Sequence, residues 1–113
     1  MTKELKRVVI TGVGAITPLG NSVDEFWKNI AAGKNGVSPI SKFDTTHFKT
    51  KFAAEVKDFN ATDYFEKKEA RKYDLFTQYA VAAADEAIKN AGIDLEKLNK
   101  NKIGVIWASG NGG

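Results

Sequence analysis

The sequence contains no cysteine, a single histidine and only two prolines, Pro18 and Pro39. The missing cysteine excludes disulfides, zinc–thiolate sites and a thiol nucleophile from this stretch, and it fits a reducing compartment. No apolar run approaches the ~20 residues that a bilayer-spanning helix needs. The start, MTKELKRVVITG, is basic but runs straight into a strand-like segment, with no signal-peptide core or cleavage site. A cytoplasmic protein is therefore expected, without a membrane or nucleic-acid partner. The net charge of +3 over 113 residues is too small to argue for nucleic acid, and most lysines are scattered. There is no repeat and no low-complexity stretch. The lone His47, in T-T-H-F-K, reads as a surface residue and not as a ligand or base.

What is present is globular in composition: 42% hydrophobic and 27% charged residues. Arg7 to Thr11 is a short β-branched run followed by glycines, which suits a strand covered on both faces in a parallel sheet. The turn Gly12-Val13-Gly14 and then Thr17-Pro18-Leu19-Gly20 follow. Ser22 and Glu25 form the capping-box pattern S-x-x-E, so a helix is expected from Ser22. Its apolar face would be Val23, Phe26, Trp27, Ile30 and Ala31, with Gly33 as its left-handed stop. Lys34 to Lys51 lacks periodicity, and Phe43 and Phe48 are expected to pin this loop to the body. Phe52 to Lys57 suits a short strand, and Asn60 offers another cap. A long helix is expected from about Tyr73 to Asn90, closed by Gly92. Its stripe of Phe76, Ala80, Ala83 and Ala87, widened by Tyr79 and Ala84, is small enough to lie close against another layer. Ile103 to Ala108 reads as a second buried strand. Strands alternating with helices predict an α/β layered fold with a mostly parallel sheet. So few strands cannot cover such helices, so the chain is expected to be part of something longer.

Three motifs carry possible chemistry. T-G-V-G-A-I-T-P-L-G follows a strand, as a dinucleotide site would, but the third glycine of G-x-G-x-x-G falls at Thr17 and the helix cap comes late at Ser22. A close-packed turn is the better reading. Lys68, Arg71 and Lys72, if helical, are spaced to share one face. From spacing alone, an acidic partner and plain solvation beside Glu66 and Glu69 stand level. The glycines of S-G-N-G-G, Ser109 to Gly113, could let the backbone pass close to a ligand or simply turn the chain.

In order and spacing, several stretches resemble the elongating type II β-ketoacyl-acyl carrier protein synthases. They are R-V-V-I-T-G-V-G-A-I-T-P-L-G-N from Arg7, G-K-N-G-V-S-P-I from Gly33, F-D-T-T-H-F-K-T-K-F-A-A-E-V-K-D-F-N from Phe43, K-K-E-A-R-K-Y-D from Lys67 and I-G-V-I-W-A-S-G-N-G-G from Ile103. The resemblance implies a thiolase-like fold, a five-layered α-β-α-β-α body built from two βαβαβαββ halves and usually homodimeric. Residues 1–113 would start the first half, the N-terminal ketosynthase domain, with the rest of it and the C-terminal half absent. The implied reaction is decarboxylative condensation of malonyl-acyl carrier protein with a cysteine-bound acyl chain, with no cofactor or metal. Its cysteine and two histidines would lie beyond Gly113, so no catalytic residue is expected here. The resemblance implies that Lys68, Arg71 and Lys72 dock the acidic helix of acyl carrier protein. It also implies that Gly110, Asn111 and Gly112 border the acyl channel, with Asn111 standing where many members carry isoleucine. That departure keeps open a polyene or polyketide ketosynthase. A non-catalytic carrier-binding or chain-length-factor-like module, and a nucleotide-binding α/β domain, are the other readings.

Overall fold

A computed structural model describes residues 2–113. Helix α1 spans Val23–Ala31. Ser22 is its extended N-cap, and the Ser22 Oγ accepts from the Glu25 N–H at 3.2 Å. The Glu25 carboxylate reaches back to the Asn21 N–H at 2.9 Å, one residue earlier than the capping box predicts. Strands β1, Ser38–Pro39, and β2, Phe52–Ala53, pair antiparallel, with Ser38 opposite Ala53 and Pro39 opposite Phe52. A 3₁₀ turn at Ala61–Asp63 is capped by Asn60. Helix α2 is a single turn, Lys67–Ala70, and α3 runs Leu75–Ala91. A second 3₁₀ turn spans Lys100–Lys102. Gly33 and Gly92 both take left-handed φ, 67° and 64°, just past α1 and α3, as the helix stops require.

The helix boundaries follow the sequence closely; the strands do not. The only sheet among the described residues is the antiparallel β1–β2 pair, not a parallel one. Residues 7–11 and 103–108 belong to no strand and join no ladder. The expected burial is also missing: Val8 is 88% exposed, Ile10 86%, Val105 87% and Ile106 97%. The reason is physical, since a strand exists only beside a neighbour that accepts its N–H groups, and a full burial gain of about 1.5–3 kcal/mol per large apolar side chain needs a layer on top. On α1, Trp27 is exposed where the predicted face would bury it. Phe43 and Phe48 pack on each other edge to face, 5.4 Å apart, and both stay exposed, so they pin the loop to itself and not to the body.

Only Ala82 and Gln78 are buried among the described residues. The accessible surface is 9720 Å², against about 6,100 Å² for a compact protein of this mass. The radius of gyration is 18.0 Å, against about 13 Å for a compact domain of this length. These residues therefore make an open, incompletely covered arrangement centred on α3.

α3 organises that arrangement through two neighbouring rows of i, i+4 positions. One row, Ala83, Ala87 and Ala91, lies under Gly12 and Gly14. A methyl group on Gly14 would overlap the Ala83 carbonyl oxygen, and one on Gly12 would overlap that of Ala87. The close-packed turn expected at T-G-V-G-A is thus present, and its glycines serve contact with a helix. The other row is Gln78, Ala82, Glu86 and Asn90. The Glu86 carboxylate accepts from the Ala15 N–H and the Val23 N–H, each at 2.9 Å, and Asn90 Oδ1 accepts from the Val13 N–H at 3.1 Å. One helix face so holds both the glycine turn and the start of α1.

Candidate functional site

The basic segment is built on very little helix. α2 ends at Ala70, and Arg71 keeps a right-handed helical backbone as its C-cap. The Lys72 N–H bonds the Glu69 carbonyl at 2.9 Å, closing a tight turn. The three cations therefore do not share one continuous helix as the spacing supposed: the chain must turn extended at Asp74 before α3 begins. Lys72 pairs with Glu69, whose other carboxylate oxygen accepts from the Tyr73 hydroxyl at 3.4 Å. Both partners of that ion pair are solvated, so it contributes about 0–1 kcal/mol. Lys68 and Arg71 are exposed and form no ion pair among the described residues. Aromatic pairs involve residues on either side of the segment in sequence, Phe65 with Tyr73 at 5.6 Å and Phe59 edge-on to Tyr79 at 4.8 Å.

The glycine turn at the other candidate site is exposed throughout. Ser109 Oγ donates to the Asn111 carbonyl at 3.0 Å, which curls the chain. Gly112 then faces the Phe76 ring, where a methyl group would stand 3.6 Å from Cζ. Gly113 lies against the Asp74 carboxylate, 2.6 Å from where a methyl group would stand. Asp74 and Phe76 immediately follow the basic segment, so the structure brings the two candidate sites to the same end of α3. Between α3 and residues 103–108 runs an apolar trough of about 300 Å³, lined by Phe76, Ala80, Val81, Ala84, Val105 and Trp107 with Thr77.

A second, polar cleft of about 410 Å³ lies between the Thr17–Gly20 turn, the start of α1 and Asp58. Asn21 donates to the Lys57 carbonyl at 2.7 Å, and its own Oδ1 is shut off without a partner. The cleft is lined by no cysteine, serine or histidine. Among the described residues no cluster of histidine, aspartate or glutamate could hold a metal. His47 is exposed, as expected of a surface residue. The residues missed by the sequence reading are Gln78, Glu86 and Asn90. Their regular spacing with Ala82 was the available signal, but polar residues in a helix are ordinarily taken for its wet face.

The chain is 44% identical over 110 residues to 3-oxoacyl-[acyl-carrier-protein] synthase 2 of Synechocystis sp., covering 97% of this chain and 26% of that protein. It is 48% identical over 108 residues to the synthase of the same name from Staphylococcus aureus strain COL, covering 96% of this chain and 26% of the relative. The chain thus spans about a quarter of the length of these relatives. The solved ishigamide ketosynthase/chain length factor superposes with a TM-score of 0.65 at 36% identity, over 80% of this chain and 22% of that one. The helices, the glycine turn and the close α3 contact therefore belong to a thiolase-like α/β fold. With residues 5–113 matching the family described as "Beta-ketoacyl synthase, N-terminal domain", the chain belongs to the β-ketoacyl synthases.

Proposed function

We propose that residues 1–113 form the opening part of the N-terminal domain of a 3-oxoacyl-acyl carrier protein synthase, an acyltransferase of fatty acid elongation. The complete protein would condense malonyl-acyl carrier protein with an acyl chain held on a cysteine, as a cytoplasmic homodimer. The observation that carries this reading is 44–48% identity, running almost from end to end of the chain, to proteins of that name. No helix of the described residues is long and apolar enough to cross a membrane. The open apolar surfaces at residues 8–10 and 105–107 also fit, because the remaining layers of such a domain would cover them.

This segment contributes recognition, not chemistry. It has no cysteine to carry an acyl group, and its one histidine, His47, is exposed. Lys68, Arg71 and Lys72 form the docking patch for the acidic carrier protein. Gly110, Asn111 and Gly112 border the acyl channel, where a turn of small residues lets a hydrocarbon chain pass beside Phe76. The test is steady-state condensation by the complete protein. Arg71→Glu with Lys72→Glu should raise the KM for carrier-bound substrate and weaken its dependence on salt, because complementary charge steers encounter. An unchanged KM would return the three cations to plain surface. The 1–113 polypeptide alone should form no product.

Asn111 and the likeness to the ishigamide ketosynthase/chain length factor favour a second reading, a polyketide-type ketosynthase or chain-length-factor-like subunit. Reading the gene past residue 113 separates the catalytic readings from the chain-length-factor-like one: a cysteine at a strand-to-helix junction with two later histidines marks a condensing enzyme.

A further inference from the structure

The docking patch sits on a piece of chain that cannot hold its own shape. A four-residue helix and a tight turn are far below the ~12–15 residues at which an isolated helix becomes even marginal in water. Its geometry must come from contacts outside itself. The ion pair with Glu69 lies within the segment and in solvent, so it anchors nothing to the body. The buried tie is Gln78. Its Nε2 donates to the Ala70 carbonyl and to the Tyr73 carbonyl, each at 2.9 Å, and the residue is only 9% exposed. Those two carbonyls bracket Arg71 and Lys72 on either side. One side-chain amide on α3 therefore spends both its hydrogens fixing the ends of the four-residue stretch that presents the cations.

Resting on the docking reading above, we infer that Gln78 is a positioning residue for carrier recognition: it touches no carrier, and it pre-places Arg71 and Lys72 by clamping the carbonyls on both sides of them. The amide is chemically particular. Methionine matches its length and packs in the same space but donates nothing, and glutamate has the same size but sets acceptors against two carbonyl oxygens. Methionine leaves the charge of the patch unchanged and removes its pre-ordering; glutamate removes the pre-ordering too but adds a negative charge beside the cations. The carrier must then order the segment as it binds.

The experiment is steady-state kinetics on the complete synthase with carrier-loaded substrates and, separately, with the corresponding pantetheine thioesters, which lack the acidic protein. Q78M should raise the KM for carrier-loaded substrate about 5- to 20-fold, the cost of immobilising one or two long side chains, while kcat and the pantetheine KM move less than about twofold. Equal losses on both substrate types would make Gln78 a general stability residue and overturn the inference. Q78L is the second variant, without a donor and without an added charge, with the same expectation. If neither variant keeps the wild-type melting profile, Gln78 is a core residue only and the inference also falls. Arg71→Glu with Lys72→Glu is the control. If the control raises the carrier KM and Q78M does not, positioning alone fails. If the control has no effect, the docking reading itself fails.

Discussion

Glu86→Gln is the sharpest perturbation of the framework around α3, because it changes one atom type at a fixed size. Each carboxylate oxygen of Glu86 takes one backbone N–H, from Ala15 and from Val23, at 2.9 Å. Those two donors lie 71 and 63 residues away in sequence, so the carboxylate joins three separate segments. Hydrogen bonds to a charged acceptor are worth about 1.5–3 kcal/mol each, against 0.5–1.5 for neutral ones. Glutamine keeps one acceptor, now neutral, and turns an NH₂ toward the other donor. One bond is lost and the other weakened; the site is only half-buried, so water recovers part of the difference. A net cost of about 2–3 kcal/mol follows, or roughly 25- to 150-fold in a local opening equilibrium. Amide hydrogen exchange on the complete protein reads this directly. Ala15 and Val23 should lose protection by that factor in Glu86→Gln. The Val13 amide is held by Asn90, one turn further along α3, and should change much less. Unchanged exchange at Ala15 and Val23 would refute the clamp. So would an equal rise at Val13, Ala15 and Val23, since the whole segment would then be lifting as one.

Three further outcomes follow from the same contacts. Gly14→Ala sets a methyl group against the Ala83 carbonyl oxygen, an overpacking that costs about 1–3 kcal/mol and should lower the thermal midpoint of the complete protein; an unchanged midpoint would mean the seam with α3 is loose. On the acyl-channel reading proposed above, Asn111→Ile replaces an amide, costly beside hydrocarbon unless hydrogen-bonded, with an apolar wall, and should shift the acyl-length distribution of products in a chain-length assay; an identical distribution would overturn that reading. Glu55 is held below the ordinary glutamate value by a hydrogen bond from the Ser41 hydroxyl, then by the Ser41 N–H, with a smaller contribution from Lys42. A depressed folded value means that its tie to Ser41 and Lys42 is present above the unfolded value and is lost as pH falls through the folded one. The Ser41 amide resonance should therefore titrate in the acid range below ordinary glutamate, and Glu55→Gln should abolish that step.

The parts of the fold legible in the sequence are those set by groups close together in the chain. Ser22 caps α1 because its hydroxyl reaches an N–H three residues on, and Gly92 ends α3 because its own backbone goes left-handed. Each is decided within a single turn. The glycine–alanine seam was legible in outline for a related reason: small residues at Gly12, Gly14, Ala83 and Ala87 state that something passes close, though not which segments meet. The basic cluster was legible as charge but not as shape, since nothing in K-K-E-A-R-K-Y-D says that α2 stops at Ala70.

The misread parts depend on partners far off in sequence. Residues 7–11 and 103–108 have the composition of buried strands, and composition reports which surface a segment would hide, not which neighbour hides it. With ladder partners absent among residues 2–113, Val8 and Ile106 stay wet and the segments remain unpaired. The polar row of α3 fails in the opposite sense. Gln78, Glu86 and Asn90 look like a solvent face, yet each bonds backbone that arrives from elsewhere: the turn carrying Arg71, the start of α1 and the glycine turn. A polar side chain pointing inward is stable only where such orphan backbone groups meet it, so Ala82, 1% exposed in the middle of the row, is the mark that this face is the inner one. One row of α3 therefore does both jobs with different residues: Gln78 fixes the turn that carries Arg71 and Lys72, while Glu86 and Asn90 fix the start of α1 and the glycine turn.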